Sequence, residues 1–257
     1  MSKIPFYDMM IKILGGEPMK RALWFLIAAL IMALIVQPNL STVQEPQVRT
    51  PTNTITSAKT NDTIDMGISH SKATICLDAG GGGIDTGYTS GDHTPEKDIN
   101  LQIVQKIGNY LTQAEYNVVY TRTDDSTIVS ANEVDSSKQR IQLAKDQNAQ
   151  YLISIHMSDD VDTTIQGYSL FTHPKEELID LCNAINEKLM SINYSRFNGL
   201  DSDHYENFPI LMDQSLSTIM IELGYLSNTE DYTNLTNEDY QDRIARSIAE
   251  AILAQID

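Results

Sequence analysis

The chain is 257 residues long, 41% apolar and 21% charged, proportions from which an ordinary packed core can be built. Its formal net charge is −17, and residues 72–257 alone hold 12 Lys and Arg against 30 Asp and Glu. A region that acidic is repelled by nucleic acid and by anionic lipid, which excludes both as its partners and leaves most of the charge to a solvated face.

The first element is Ala22–Val36, fifteen residues without a polar side chain, preceded by Lys20 and Arg21 and closed by Pro38. It is short for a membrane-spanning helix, which needs roughly 17–25 residues, and fits the apolar core of a signal peptide. No small-x-small cleavage site follows Val36, so an uncleaved signal-anchor stays open. A buried core helix is disfavoured, because the run is apolar on every face and a linker follows it. Lys3, Lys12, Lys20 and Arg21 precede the run, which places residues 1–21 in the cytoplasm and everything after residue 37 outside. Met19 is a second candidate start, from which the chain would read as a compact signal sequence. Residues 37–71 hold 17 Ser, Thr, Pro or Asn with no apolar period and read as a disordered linker. As a coil it would reach on the order of 30–35 Å, enough to lift a domain off a membrane surface.

From Lys72 to Asp257 the texture is that of one domain. Ala73–Asp78 reads as a strand running into four glycines, and Thr94-Pro95-Glu96 as an N-cap, a first-turn proline and an early acid. The helix that follows carries Ile99, Ile103, Ile107 and Tyr110 at helical spacing. Asn117–Thr121 is a predicted strand, Ser136–Asn148 an amphipathic helix, and Tyr151–His156 and Tyr168–Phe171 are strands. A helix from near Pro174, a strand Ser217–Glu222 and a closing helix Asn237–Ile256 complete the pattern. Cys76 and Cys182 give neither a disulfide framework nor zinc-ligand spacing and are expected as buried thiols. Short strands alternating with longer helices indicate an α/β fold with a largely parallel sheet covered on both faces. Ligands gather at the carboxyl ends of such strands, where Asp78, His156 and Glu222 stand.

Four blocks carry the chemistry: L-D-A-G-G-G-G-I-D-T-G (77–87), E-K-D-I-N-L (96–101), S-I-H (154–156) and I-E-L-G-Y-L-S-N (221–228). In that order they resemble the signature of the zinc-dependent N-acetylmuramoyl-L-alanine amidases of bacterial cell walls, over roughly residues 73–256. The resemblance implies hydrolysis of the amide between N-acetylmuramic acid and L-alanine in peptidoglycan, outside the membrane. It implies Glu96 and His156 as zinc ligands and Glu222 as the catalytic acid/base. Such a metal lowers the pKa of a bound water and polarises the carbonyl, and the second carboxylate moves the proton to the leaving amine. Without the resemblance, Glu96 would be a helix-terminal acid and His156 a structural histidine. Glu222 is harder to dismiss, since a carboxylate beside a buried strand is costly without a partner.

One position departs from the family pattern. Where the family has a ligand histidine this chain has Gly81, which leaves two protein ligands of three. Ala79 replaces the usual proline, and Met157-Ser158 stand where Ala-Asn is commoner. His93, in the loop before Glu96, is a candidate substitute; Asp92 and His204 are weaker, and His173 and His70 weaker still. Returning a histidine to position 81 would cost little with φ below zero and more in the left-handed conformation that glycine permits. The glycine run is no phosphate loop, lacking the Lys-Ser/Thr ending. The chain's economy resembles the short amidases of spore-cortex maturation, which can need a protein partner to hold metal or substrate. The competing reading is a catalytically inactive pseudo-amidase acting as a wall-binding or regulatory module. A third, an unrelated zinc hydrolase of the same architecture, is disfavoured by the 221–228 block.

Overall fold

The structure, a computed structural model, describes residues 72–89, 94–126 and 132–256. The signal segment, the linker, His70, Asp92 and His93 lie outside the described residues. Six strands form one sheet: β1 (Thr74–Ala79), β2 (Asn117–Tyr120), β3 (Tyr151–Ser158), β4 (Tyr168–Thr172), β5 (Phe197–Asp201) and β6 (Ser217–Tyr225). Among the described residues five α-helices accompany them: α1 (Glu96–Gln113), α2 (Glu133–Asp146), α3 (Glu176–Ile192), α4 (Thr229–Leu235) and α5 (Glu238–Gln255). The strand order is β2-β1-β3-β6-β4-β5, parallel throughout except that β4 runs antiparallel to β6.

Burial on both faces explains why β1, β3 and β6 read as continuous apolar runs rather than alternating ones. On one face α1, α3 and α5 lay down Ile99, Ile103, Ile107, Leu181, Ile185, Ile248 and Ile252 against Ile75, Leu77, Ile153, Ile155, Ile219 and Ile221. Each such side chain, fully buried, contributes on the order of 2 kcal/mol. The other face is thinner. There α2 brings Ile141 and Ala144, and the segment before β6 brings Ile210, Leu211 and Leu216, onto Cys76, Leu152 and Met220. Both cysteines are free and buried, and burial pushes each thiol up to about 12, which keeps them inert.

Three of these helices start on a side-chain cap, and α1 and α3 do not. Asn132, Asn228 and Asn237 cap α2, α4 and α5 through side-chain oxygens that accept backbone N–H groups. Thr94 does not cap α1 as expected. Pro95 takes the cap position without a side-chain bond, and the Thr94 N–H instead donates to the Tyr232 hydroxyl at 2.9 Å. That bond docks the entry of α1 on α4. Among the described residues no helix is long and apolar enough to cross a membrane.

Candidate functional site

Parallel register puts the chemistry at one end of one face. Asp78 pairs with Ser154 and Ser154 with Met220, so these side chains share the face that α2 covers. Two residues further along, His156 and Glu222 are register partners on that same face, at the carboxyl ends of β3 and β6. Glu96 arrives from the other direction, at the first turn of α1. Its backbone N–H donates to Tyr88 O at 3.0 Å, and Lys97 N–H to Thr86 O at 3.2 Å, which ties the helix start to the incoming loop.

The Glu96 carboxylate is held on all sides. Oε1 accepts the Met157 N–H at 3.1 Å and the Asn100 amide at 3.2 Å, and stands 3.5 Å from His156 Nδ1. Oε2 accepts the Tyr88 N–H at 3.0 Å. Burial alone would raise its pKa, but His156 and these backbone donors hold it below the usual carboxylate range. For His156, burial pulls the pKa down, and contact with Glu96 and the charge of Asp78 reverse that to a net rise. Glu222 behaves oppositely. Burial, with the charges of Glu96 and Asp159 added, lifts it to about 7 against the weaker help of His156 and the Ser158 hydroxyl.

Asp78 stands at a strand end as expected, but it is not open to a ligand. It is fully buried, bound by Arg140 Nη1 at 2.6 Å, the Thr121 hydroxyl at 2.5 Å and the Ser154 hydroxyl at 2.6 Å. Although burial favours its neutral form, Arg140, His156 and the hydroxyls hold its pKa down at about 2. It is a structural anchor. Its partner Arg140 also donates to Ala79 O at 3.0 Å and Gly81 O at 2.8 Å. A second buried guanidinium, Arg122, donates to Ala79 O at 2.9 Å, Gly80 O at 3.0 Å and Lys97 O at 2.7 Å. Two arginines therefore grip three consecutive carbonyls of the glycine loop. Sequence reasoning passed over both.

Around these residues the surface opens. A cleft of about 660 Å³ is lined by Glu96, Tyr88, Asp159, His156, Arg140 and Gly81, among others. A smaller recess of about 170 Å³ lies on the Glu222 side, walled by Phe208 and Ile210. His156, Arg140 and Gly81 border both. Gly80 allows this closeness: a Cβ placed there would lie 2.2 Å from His156 Cε1.

The residues present do not complete a zinc site. Glu96 and His156 offer a carboxylate and an imidazole on one wall of the cleft, but among the described residues no three His, Cys, Asp or Glu side chains could together hold a metal ion. His204 is engaged elsewhere, its Nδ1 3.0 Å from Asp201 Oδ2 on the loop after β5. His173 is buried with Nε2 on Leu211 O. Neither borders the cleft.

The N-acetylmuramoyl-L-alanine amidase family matches residues 75–254. The germination-specific N-acetylmuramoyl-L-alanine amidase of Bacillus subtilis is 27% identical over 187 residues, covering 70% of this chain and 78% of that protein. The crystal structure of an N-acetylmuramoyl-L-alanine amidase from Clostridium difficile 630 is 31% identical, with a TM-score of 0.63 over 72% of this chain and 96% of that one. The CwlD amidase from Clostridioides difficile, solved in complex with the GerS lipoprotein, is 30% identical, with a TM-score of 0.60 over 72% of this chain and 98% of that one.

Proposed function

This chain belongs to the N-acetylmuramoyl-L-alanine amidase family, and from that premise we propose that residues 72–257 hydrolyse the amide between N-acetylmuramic acid and the L-alanine of the peptidoglycan stem peptide. The observation that carries the reading is Glu222 beside His156 on the small recess that adjoins the cleft, its carboxyl lifted to about 7. A carboxyl poised near neutrality can take a proton from the attacking water and return it to the departing alanine amine. Glu222 is the acid/base in this proposal, with His156 beside it and Glu96 against His156. Zinc bound here would polarise the carbonyl and activate water, with Glu96 and His156 as its protein donors. The described residues supply no third donor.

The setting is proposed on the same footing. The basic flank before Ala22–Val36 supports an extracytoplasmic domain, anchored through that N-terminal segment or secreted to the wall. A relative named for germination supports spore peptidoglycan as the substrate, and a relative solved with a lipoprotein supports an activating protein partner.

The deciding experiment incubates the protein with purified sacculi and assays newly exposed L-alanine amino groups by dansylation, alone and with added zinc. New L-alanine termini that vanish in Glu222→Gln establish the amidase. Sacculus binding without release, unchanged by Glu222→Gln, would establish the wall-binding reading in its place.

A further inference from the structure

In the loop Gly80–Gly83 the backbone itself excludes a side-chain ligand. Gly81, Gly82 and Gly83 have φ of +70°, +133° and +56°, a run that L-residues with a Cβ avoid. A Cβ on Gly81 would stand 2.9 Å from the Asp85 carbonyl oxygen and 3.1 Å from Lys97 Cβ. Neither neighbour can give way cheaply. The Asp85 carbonyl accepts the Gly82 N–H at 2.8 Å, and Asp85 N–H returns a bond to Gly82 O at 3.1 Å. Lys97 Nζ is bound to Gly83 O at 2.9 Å and to Asp125 at 2.8 Å, while Lys97 O is held by Arg122. Turning residue 81 to negative φ instead would swing its peptide and carry Gly81 O away from Arg140 Nη2, a charge-assisted bond on a buried guanidinium.

We infer that position 81 is committed to glycine by the fold, so the metal site of this chain is not one substitution short of complete. The absent histidine and the loop geometry are a single adaptation. Any third donor must come from outside this loop. The inference rests on the family reading only for which loop faces the metal.

The test compares Gly81→His, Gly81→Ala and Gly81→Asn with the parent, reading melting temperature and zinc affinity by chelator competition. Asn tolerates left-handed φ better than Ala or His, so it separates conformational strain from the mere presence of a side chain. The melting temperature should fall by about 5 °C or more for Ala and His and by less for Asn. Zinc affinity of Gly81→His should stay within about threefold of the parent, whereas losing Glu96 or His156 should lower any zinc binding at least about tenfold. Should Gly81→His fail to fold, the melting temperature of Gly81→Ala decides, and a fall of about 5 °C or more supports the commitment to glycine. A tenfold gain of zinc affinity in Gly81→His, or a Gly81→Ala variant as stable as the parent, overturns it. L-alanine release from sacculi by the parent is scored separately, so failure of the amidase reading leaves this comparison standing.

Discussion

His156 and Glu222 are partners across the β3–β6 ladder, so imidazole and carboxyl leave neighbouring strands side by side on one face of the sheet. Their spacing is fixed by the sheet rather than by a loop, and side chains on strands are held more precisely than side chains on loops. Glu96, by contrast, reaches His156 from a helix start secured by hydrogen bonds to Tyr88 and Met157.

A pH profile follows from Glu222. The proposed base must be ionised, and its carboxyl is lifted to about 7. L-alanine release should therefore fall as pH drops through about 7, an acid limb far above an ordinary glutamate's. Glu222→Gln should reduce turnover by roughly 10²–10⁴-fold. A limb near pH 4 would show that another group accepts the proton.

Acid stability follows from Asp78. Its folded pKa, about 2, lies below the ordinary value near 4, so its ion pair stabilises the fold above pH 4 and that contribution is lost as pH falls from about 4 to 2. The loss should be on the order of 2 kcal/mol in urea titrations. Asp78→Asn should flatten the dependence in that window and, by leaving Arg140 buried without its counter-charge, cost about 3 kcal/mol at pH 7.

Gly80→Ala should displace a ring rather than strain a backbone. The new methyl would overlap His156 Cε1, Nδ1 and Nε2 at 2.2, 2.5 and 2.6 Å. The His156 imidazole resonances should move and the melting temperature should drop by several degrees. An unchanged imidazole spectrum would contradict the packing described.

Asp231 anchors the end of β6 that carries Glu222. Buried, it accepts the Gly167 N–H at 2.8 Å, the Tyr225 N–H at 2.9 Å and the Ser195 hydroxyl at 2.6 Å. Asp231→Ala orphans two backbone donors and should cost about 2–4 kcal/mol by urea unfolding. Asp231→Asn, which keeps one acceptor, should cost less.

Topology can be read with protease. Added to intact cells stripped of wall, it should remove residues 72–257; a domain cut only after lysis would place it inside.

Most of the architecture was legible because each central strand is a short apolar run and each long helix repeats its apolar residues at the helical period. The strand from Tyr151 and the helix from Glu96 lie where those patterns put them. β5 was not legible. F-N-G-L-D is polar, interrupted by glycine and at the sheet edge, and it is fixed by tertiary contact, Phe197 packing on Tyr168 at 5.3 Å. α4 escaped too, since only Asp231 and Leu235 of its seven residues are buried and no apolar period results. At the site, the four blocks singled out Glu96, His156 and Glu222, and the structure brings His156 against Glu96 and beside Glu222. The arginine grip was not: Arg122 and Arg140 meet their carbonyls across 43 and 59 residues, a separation that leaves no spacing to read. Asp78 was found by position, but its role as an anchor became visible only with Arg140 against it.

The strand order has a consequence for synthesis. β6 is the last strand made, yet it lies between β3 and β4 and is the seam that joins β2-β1-β3 to β4-β5. A nascent chain therefore carries two unjoined ladders with unpaired edges until Ser217–Tyr225 emerges. Closure depends on that late, non-local pairing, which is intrinsically slow. The sheet therefore stays open, in two halves, until every other strand has been made, and one late strand closes it.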